Sequence, residues 1–238
     1  MLSETGYSQL KDKYGNSLVP RALHISRKFG YVYVTNPKAA CSTLKLFLSR
    51  CEVGDPEYLG KTNHQRRDLP LLTPGKLSKE ERDGLTRGRF FRFSFVRHPV
   101  SRVVSAYANK IFRGKSQSKA QVLEMMGVDP GRLDLDISFL DFLKAISARE
   151  PSSLNGHFRP QTLNLFWNDF KYDFIGKLEQ FDSDFAKLKN HLGLPDYPLE
   201  IRNQKSKFVN TDELLSEEAL RIIRRFYAAD FEAFGYHL

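Results

Sequence analysis

Two short runs hold most of the residue types that could grip an anion. The first is Asn36-Pro37-Lys38-Ala39-Ala40-Cys41-Ser42-Thr43. If it joins a strand to a helix, the first amides of that helix lack partners within it, and the positive end of the helix dipole faces the loop. Ala39, Ala40 and Ser42 let backbone approach an anion closely. Lys38 adds a mobile positive charge, and Ser42 and Thr43 add hydroxyl donors. The glycines of the G-x-x-x-x-G-K-[ST] phosphate loop are missing. Taken alone, an ordinary strand-to-helix turn capped by Ser42 or Thr43 explains the run equally well.

The second run is Arg97-His98-Pro99, followed by Ser105 and Tyr107. An arginine at a strand end can bind a phosphate bidentately, and a hydroxyl two helical turns later can add a further bond. Alone, an exposed arginine and a helix-surface serine are the simpler account. Both runs occurring in this order, each at a strand's carboxyl end, turn the balance toward anion binding.

The elements that must position these residues are legible. Tyr31-Val32-Tyr33-Val34 favours a strand, and a helix with Leu44, Phe47 and Leu48 on one face is expected from near Ser42 or Thr43. Phe91, Phe93 and Phe95 alternate with Arg92, Ser94 and Val96 in a second strand. Pro99 suits the first turn of a helix whose Val100, Val103, Val104, Tyr107 and Ile111 face the core. Further helices are expected near residues 78 to 85, 137 to 148, 184 to 192 and 216 to 234, and a strand over residues 172 to 176. Gly193 and Pro195 should stop the helix before them. Strands alternating with helices predict an α/β fold, a mostly parallel sheet with helices on both faces, in which ligands bind beyond the carboxyl ends of the strands. Residues 1 to 27 read as an N-terminal lead-in and residues 28 to 238 as one domain.

Bulk properties narrow the partners. The 238 residues include 41% hydrophobic and 27% charged residues, which argues against disorder. The net charge of +9 draws anions in general, although a solvated basic surface would show the same excess. Two cysteines, Cys41 and Cys51, build no disulfide framework, and no Cys/His metal spacing occurs. No apolar signal core or membrane-length run is present, so a cytoplasmic location is expected.

Residues 33 to 45 resemble the 5′-phosphosulfate loop of sulfotransferases that use 3′-phosphoadenosine 5′-phosphosulfate (PAPS), and residues 95 to 107 resemble their 3′-phosphate motif. The likeness is to the carbohydrate sulfotransferases of chondroitin and dermatan type and their bacterial relatives. It extends to His157-Phe158-Arg159-Pro160-Gln161, to residues 172 to 179, and to a C-terminal run containing Tyr227 and Asp230. Phe158 stands where animal members usually carry Trp, and cysteines they place after it are absent.

The resemblance implies a P-loop-kinase-like sulfotransferase fold, PAPS as donor, no metal, and a carbohydrate acceptor with an acidic sugar as one option. Nucleic acid is not an expected partner. It further implies that residues 37 to 43 hold the 5′-phosphosulfate with Lys38 as the catalytic cation, and that Arg97 and Ser105 hold the 3′-phosphate. His64, lying between the phosphate motifs, is the preferred general base. His157 is the second candidate, and a carboxylate a third. His98 reads as structural, and His24, His191 and His237 as surface or cap residues. Arg66, Arg67, Lys110, Arg113, Lys115 and Lys119 could line an acceptor groove, and Lys205 and Lys207 could close over the nucleotide. Two rival readings stay open: a P-loop nucleotide or small-molecule kinase, and a non-enzymatic polyanion binder.

Overall fold

The computed structural model describes residues 6–60, 69–112, 117–200 and 211–238. In chain order the elements begin with α1 (Tyr7–Tyr14), α2 (Leu18–Ala22), β1 (Leu23–Ser26), β2 (Tyr31–Val34), α3 (Cys41–Val53) and α4 (Lys79–Gly84). Then come β3 (Phe91–Val96), α5 (Pro99–Tyr107), α6 (Gln117–Met125), α7 (Phe139–Ser147) and α8 (Gln161–Asn164). The chain closes with β4 (Phe174–Lys177), α9 (Phe181–Leu192), α10 (Thr211–Leu214), α11 (Glu217–Phe226) and α12 (Ala228–Phe234). These elements form two compact units, one of residues 1–96 with 164–202, the other of residues 97–163 with 203–238.

The first unit is built on a four-stranded sheet ordered β1-β2-β3-β4. β2 pairs parallel with β3, and β3 parallel with β4, so the sheet is mostly parallel as expected. Every residue of β2 is fully buried, which means both faces of the sheet are covered at that strand. On one face Tyr31, Tyr33, Phe93 and Phe95 pack with Leu44, Phe47 and Leu48 of α3 and Phe185 and Leu188 of α9. The period-two aromatics and the helical leucines thus meet in one core.

Two local features explain the run from Tyr172 to Gly176. Asp173 accepts from the Arg92 amide at 2.8 Å and from its guanidinium at 3.0 and 3.1 Å, tying the entry of β4 to β3. Gly176 lies opposite Phe95, and a Cβ there would come within 2.3 Å of that ring. Glycine is needed for this close approach.

Within the lead-in of residues 1 to 27, the described residues form α1, α2 and the edge strand β1, antiparallel to β2. The four residues of β1, Leu23-His24-Ile25-Ser26, alternate apolar with polar, as in a strand with one face on a core and one on solvent. His24 and Ser26 are buried nonetheless, His24 stacking on Tyr33 and Ser26 donating to Glu52 at 2.6 Å. His24 is therefore a core residue rather than a surface or cap one.

The second unit packs Val103, Val104 and Tyr107 of α5 with Phe142 of α7, Phe158, and Ile223 and Tyr227 around α11. Val100 and Ile111 are buried as their spacing predicts. Beyond α5 the chain makes one π-helical turn over Ala108–Phe112. The helix expected over residues 216 to 234 is broken at Tyr227, where φ is −102° and ψ 21°, into α11 and α12. Ser216 and Ser78 cap α11 and α4, and Gly193 in the left-handed region ends α9.

Candidate functional site

The loop between β2 and α3 belongs to the first unit and follows the strand's carboxyl end. Asn36 is buried and donates from Nδ2 to the carbonyl of Phe95 at 3.0 Å, anchoring the loop to β3. Lys38 (φ 72°) and Ala40 (φ 55°) are both left-handed without being glycine. Such residues cost of order 1–3 kcal/mol each and persist where the surroundings impose them. Alternating hands along a turn aim successive N–H groups into a common concavity, an anion-binding nest.

Helix α3 starts at Cys41, one or two residues earlier than the expected start near Ser42 or Thr43. Its N-cap is Ala40, which supplies no side-chain cap bond. Neither Ser42 nor Thr43 is the cap, because both already lie within the helix. Lys38, Cys41 and Ser42 are half-buried, while Ala39 and Thr43 are buried. Strained turn, uncapped helix start and adjacent lysine together fit a bound phosphate or sulfate.

Arg97 and Ser105 belong to the second unit. The Arg97 side chain donates from Nε to Ser101 Oγ at 3.0 Å, and that hydroxyl donates to the carbonyl of His98 at 3.1 Å. Ser101 and Ser105 are four residues apart and so share one face of α5. Ser105 is buried and Arg97 half-buried. Ser101, which orients the arginine, was not singled out from the sequence. Its signal was its i+4 spacing from Arg97.

The His157 to Gln161 segment is bolted to this arginine. Gln161 accepts from the Arg97 amide at 2.9 Å and donates to the Arg97 carbonyl at 2.8 Å. Arg102, fully buried on α5, donates to the carbonyls of Gly156 and Arg159, both at 2.9 Å. Tyr227 donates to the Phe158 carbonyl at 2.7 Å. Buried Asp230 accepts from the amides of Gln161 at 2.8 Å and Thr162 at 2.9 Å, starting α8. Burial pushes the Asp230 carboxyl above the usual carboxylate range, against the opposing pull of Arg102 and these amides. Burial likewise lowers Arg159 from the ordinary guanidinium range.

Of the candidate bases, His157 is half-buried, with Nδ1 at 2.7 Å from Asn155 Oδ1. His64 lies outside the described residues, as do Arg66, Arg67, Arg113, Lys115, Lys205 and Lys207. His98 packs edge-on against Phe231 and Tyr236, with Nε2 at 2.7 Å from the His237 carbonyl, which agrees with a structural role. Lys119, expected on an acceptor groove, is buried on α6. Lys110 lies in the π-helical turn. Among the described residues no group of His, Cys, Asp and Glu is placed to hold a metal ion, and no helix is long and apolar enough to cross a membrane.

The model of the Sulfotransferase family matches residues 21–237. Carbohydrate sulfotransferase 14 of Danio rerio is 29% identical over 228 residues, covering 89% of this chain and 60% of that protein. Its Mus musculus counterpart is 27% identical over 184 residues, covering 74% and 48%. Carbohydrate sulfotransferase 12 of Xenopus laevis is 25% identical over 254 residues, covering 90% and 60%. The chain thus spans at most about 60% of the length of these relatives. No solved structure matches it. With a family match running from the end of α2 to the last residues, on a mostly parallel sheet that carries a phosphate-type loop, the chain belongs to the sulfotransferase family.

Proposed function

We propose that this chain transfers a sulfuryl group from PAPS to a hydroxyl of a carbohydrate, an acidic sugar being the first class to try. The observation that carries this reading is the loop ahead of α3, with left-handed Lys38 and Ala40 and no side-chain cap. Family membership and the relatives' names support a carbohydrate acceptor. Two free cysteines support a cytoplasmic location, and Phe158 in place of Trp supports a bacterial-type member.

When bound, PAPS supplies the sulfuryl group and a 5′-phosphate that leaves in line with the attacking oxygen. Catalysis in such transfers is mainly positioning and charge stabilisation. In this reading Lys38 and the first amides of α3 neutralise charge gathering on the leaving phosphate. Arg97, oriented by Ser101, holds the 3′-phosphate with Ser105. His64 or His157 takes the acceptor proton. Lys38 and the helix terminus supply the positive charge that a metal supplies elsewhere, so the reading needs none.

The test is calorimetry without added metal. Adenosine 3′,5′-bisphosphate should bind about 10- to 100-fold more tightly than AMP, the worth of one well-held phosphate. Equal affinities would overturn the assignment of Arg97 and Ser105. A carbohydrate screen with isotopically labelled PAPS then identifies the acceptor.

A further inference from the structure

A cavity of about 730 Å³ opens within the second unit, between the start of α5 and α11. Its lining combines Val100, Leu220 and Leu238 with Glu217, Arg221 and Arg224. Val100 is buried and Leu220 half-buried, whereas both arginines are exposed. The volume falls within the range of about 300–1,000 Å³ that small-molecule sites occupy.

The two arginines set the charge of this cavity. Arg27, Arg50, Arg92 and Arg132 each pair with a carboxylate. Among the described residues, Arg221 and Arg224 pair with none. Glu217 stands four residues before Arg221, the spacing and order that favour a helical ion pair, yet the two do not join. Three residues apart, Arg221 and Arg224 are neighbours on the helix surface. Two arginines against one carboxylate favour an anion, and the guanidinium fork matches a carboxylate in particular. The apolar side chains of the same lining ask for an apolar body attached to that anion.

Ser101 links the cavity to Arg97. Ser101 and His98 both line it. Ser101 Oγ accepts from Arg97 Nε at 3.0 Å and donates to the His98 carbonyl at 3.1 Å. An anion resting on this wall is one hydroxyl away from the guanidinium assigned to the 3′-phosphate. Two anions served by neighbouring cations repel, so each weakens the other.

We propose that this cavity is a second binding site, for a small anion with one carboxylate on an apolar body, whose occupation weakens 3′-phosphate binding at Arg97. Arg221 and Arg224 take the carboxylate, and Val100, Leu220 and Leu238 take the apolar body. The link to Arg97 rests on the sulfotransferase reading, and the site itself does not.

The experiment is calorimetry on the full chain with octanoate as the probe, and acetate and 1-octanol as its charged and apolar halves. Octanoate should bind at one site, and each half at least about 10-fold more weakly, since neither offers both charge and apolar area. The double variant Arg221→Gln with Arg224→Gln, both at exposed positions, should weaken octanoate by about 10-fold or more. Unchanged affinity in that variant, binding at many sites, or octanoate no tighter than its halves each overturns the site. Binding to phosphatidylglycerol vesicles that the variant loses, without octanoate binding, makes the occupant a lipid headgroup and overturns the free-ligand proposal. Saturating octanoate should weaken adenosine 3′,5′-bisphosphate about five-fold and then no further. No weakening overturns the link to Arg97 while the sulfotransferase reading stands. Weakening that grows without limit shows two ligands competing for one place and overturns the second site. Failure to bind adenosine 3′,5′-bisphosphate overturns the sulfotransferase reading and the link with it, while octanoate binding still decides the site.

Discussion

Gln161 pairs with Arg97 through both main-chain groups, accepting from its amide at 2.9 Å and donating to its carbonyl at 2.8 Å. A side chain here completes what another strand would otherwise supply just beyond β3. The residue proposed to hold the 3′-phosphate therefore has its backbone set by the segment that carries His157. Asp230, through the Gln161 amide, sets that segment in turn.

Removing Gln161 should consequently cost both stability and affinity. Gln161→Ala leaves two main-chain groups of Arg97 without this partner, at roughly 1–3 kcal/mol per unsatisfied buried group. Urea unfolding should show a loss of about 2–6 kcal/mol on that basis. Calorimetry should show weaker adenosine 3′,5′-bisphosphate binding. Unchanged affinity in a destabilised variant would separate Gln161 from the placement of Arg97.

Lys38 and Arg97 should differ in kind. One faces a leaving group whose charge grows in the transition state, the other a phosphate that is a spectator. Lys38→Ala should lower kcat by about two to three decades, as loss of a transition-state charge partner does. Arg97→Ala should chiefly raise the dissociation constant for the nucleotide. Steady-state kinetics with paired calorimetry reads both, and near-normal turnover in Lys38→Ala would remove the loop from catalysis.

The strained turn gives a stability test. Ala40 sits at φ 55°, a region open to glycine and hostile to β-branched side chains. Ala40→Gly should unfold within about 1 kcal/mol of wild type, whereas Ala40→Val should lose about 2 kcal/mol or more. Urea midpoints decide it. A tolerated valine would mean the turn relaxes readily to another conformation.

A pH effect is expected where Arg27 meets Glu81, with guanidinium-to-carboxylate distances of 2.7 Å on both oxygens. The Arg27 hydrogen bonds, then the Ser78 amide, hold the Glu81 carboxyl down at about 2 from an ordinary 4.5. A folded-state pKa below the unfolded one means the contribution is complete above about 4.5 and fades as pH falls toward about 2. Glu81→Gln should thus have a lower Tm than wild type near pH 6, and the gap should close by about pH 2. A gap of constant size across that range would show that the ion pair is not its source.

By itself the sequence determined the parts whose physics is local. Alternating Phe91, Phe93 and Phe95, the Tyr31 to Val34 run, Pro99 at a helix start and Gly193 at a helix end all act through period or backbone preference within a few residues. The Lys38 loop and the Arg97 motif were legible for the same reason, since each is a short run of residue types after a strand. β1 was not legible, because Leu23-His24-Ile25-Ser26 gives only two periods of alternation and its pairing with β2 is a tertiary fact. Nor was the split at Tyr227 or the inward burial of Lys119. Only the tertiary structure decided what Gln161, Asp230 and Arg102 do. Their partners lie as far as 69 residues away in the chain for Gln161 with Asp230, and a buried polar group shows its purpose only when the group that satisfies it is in place.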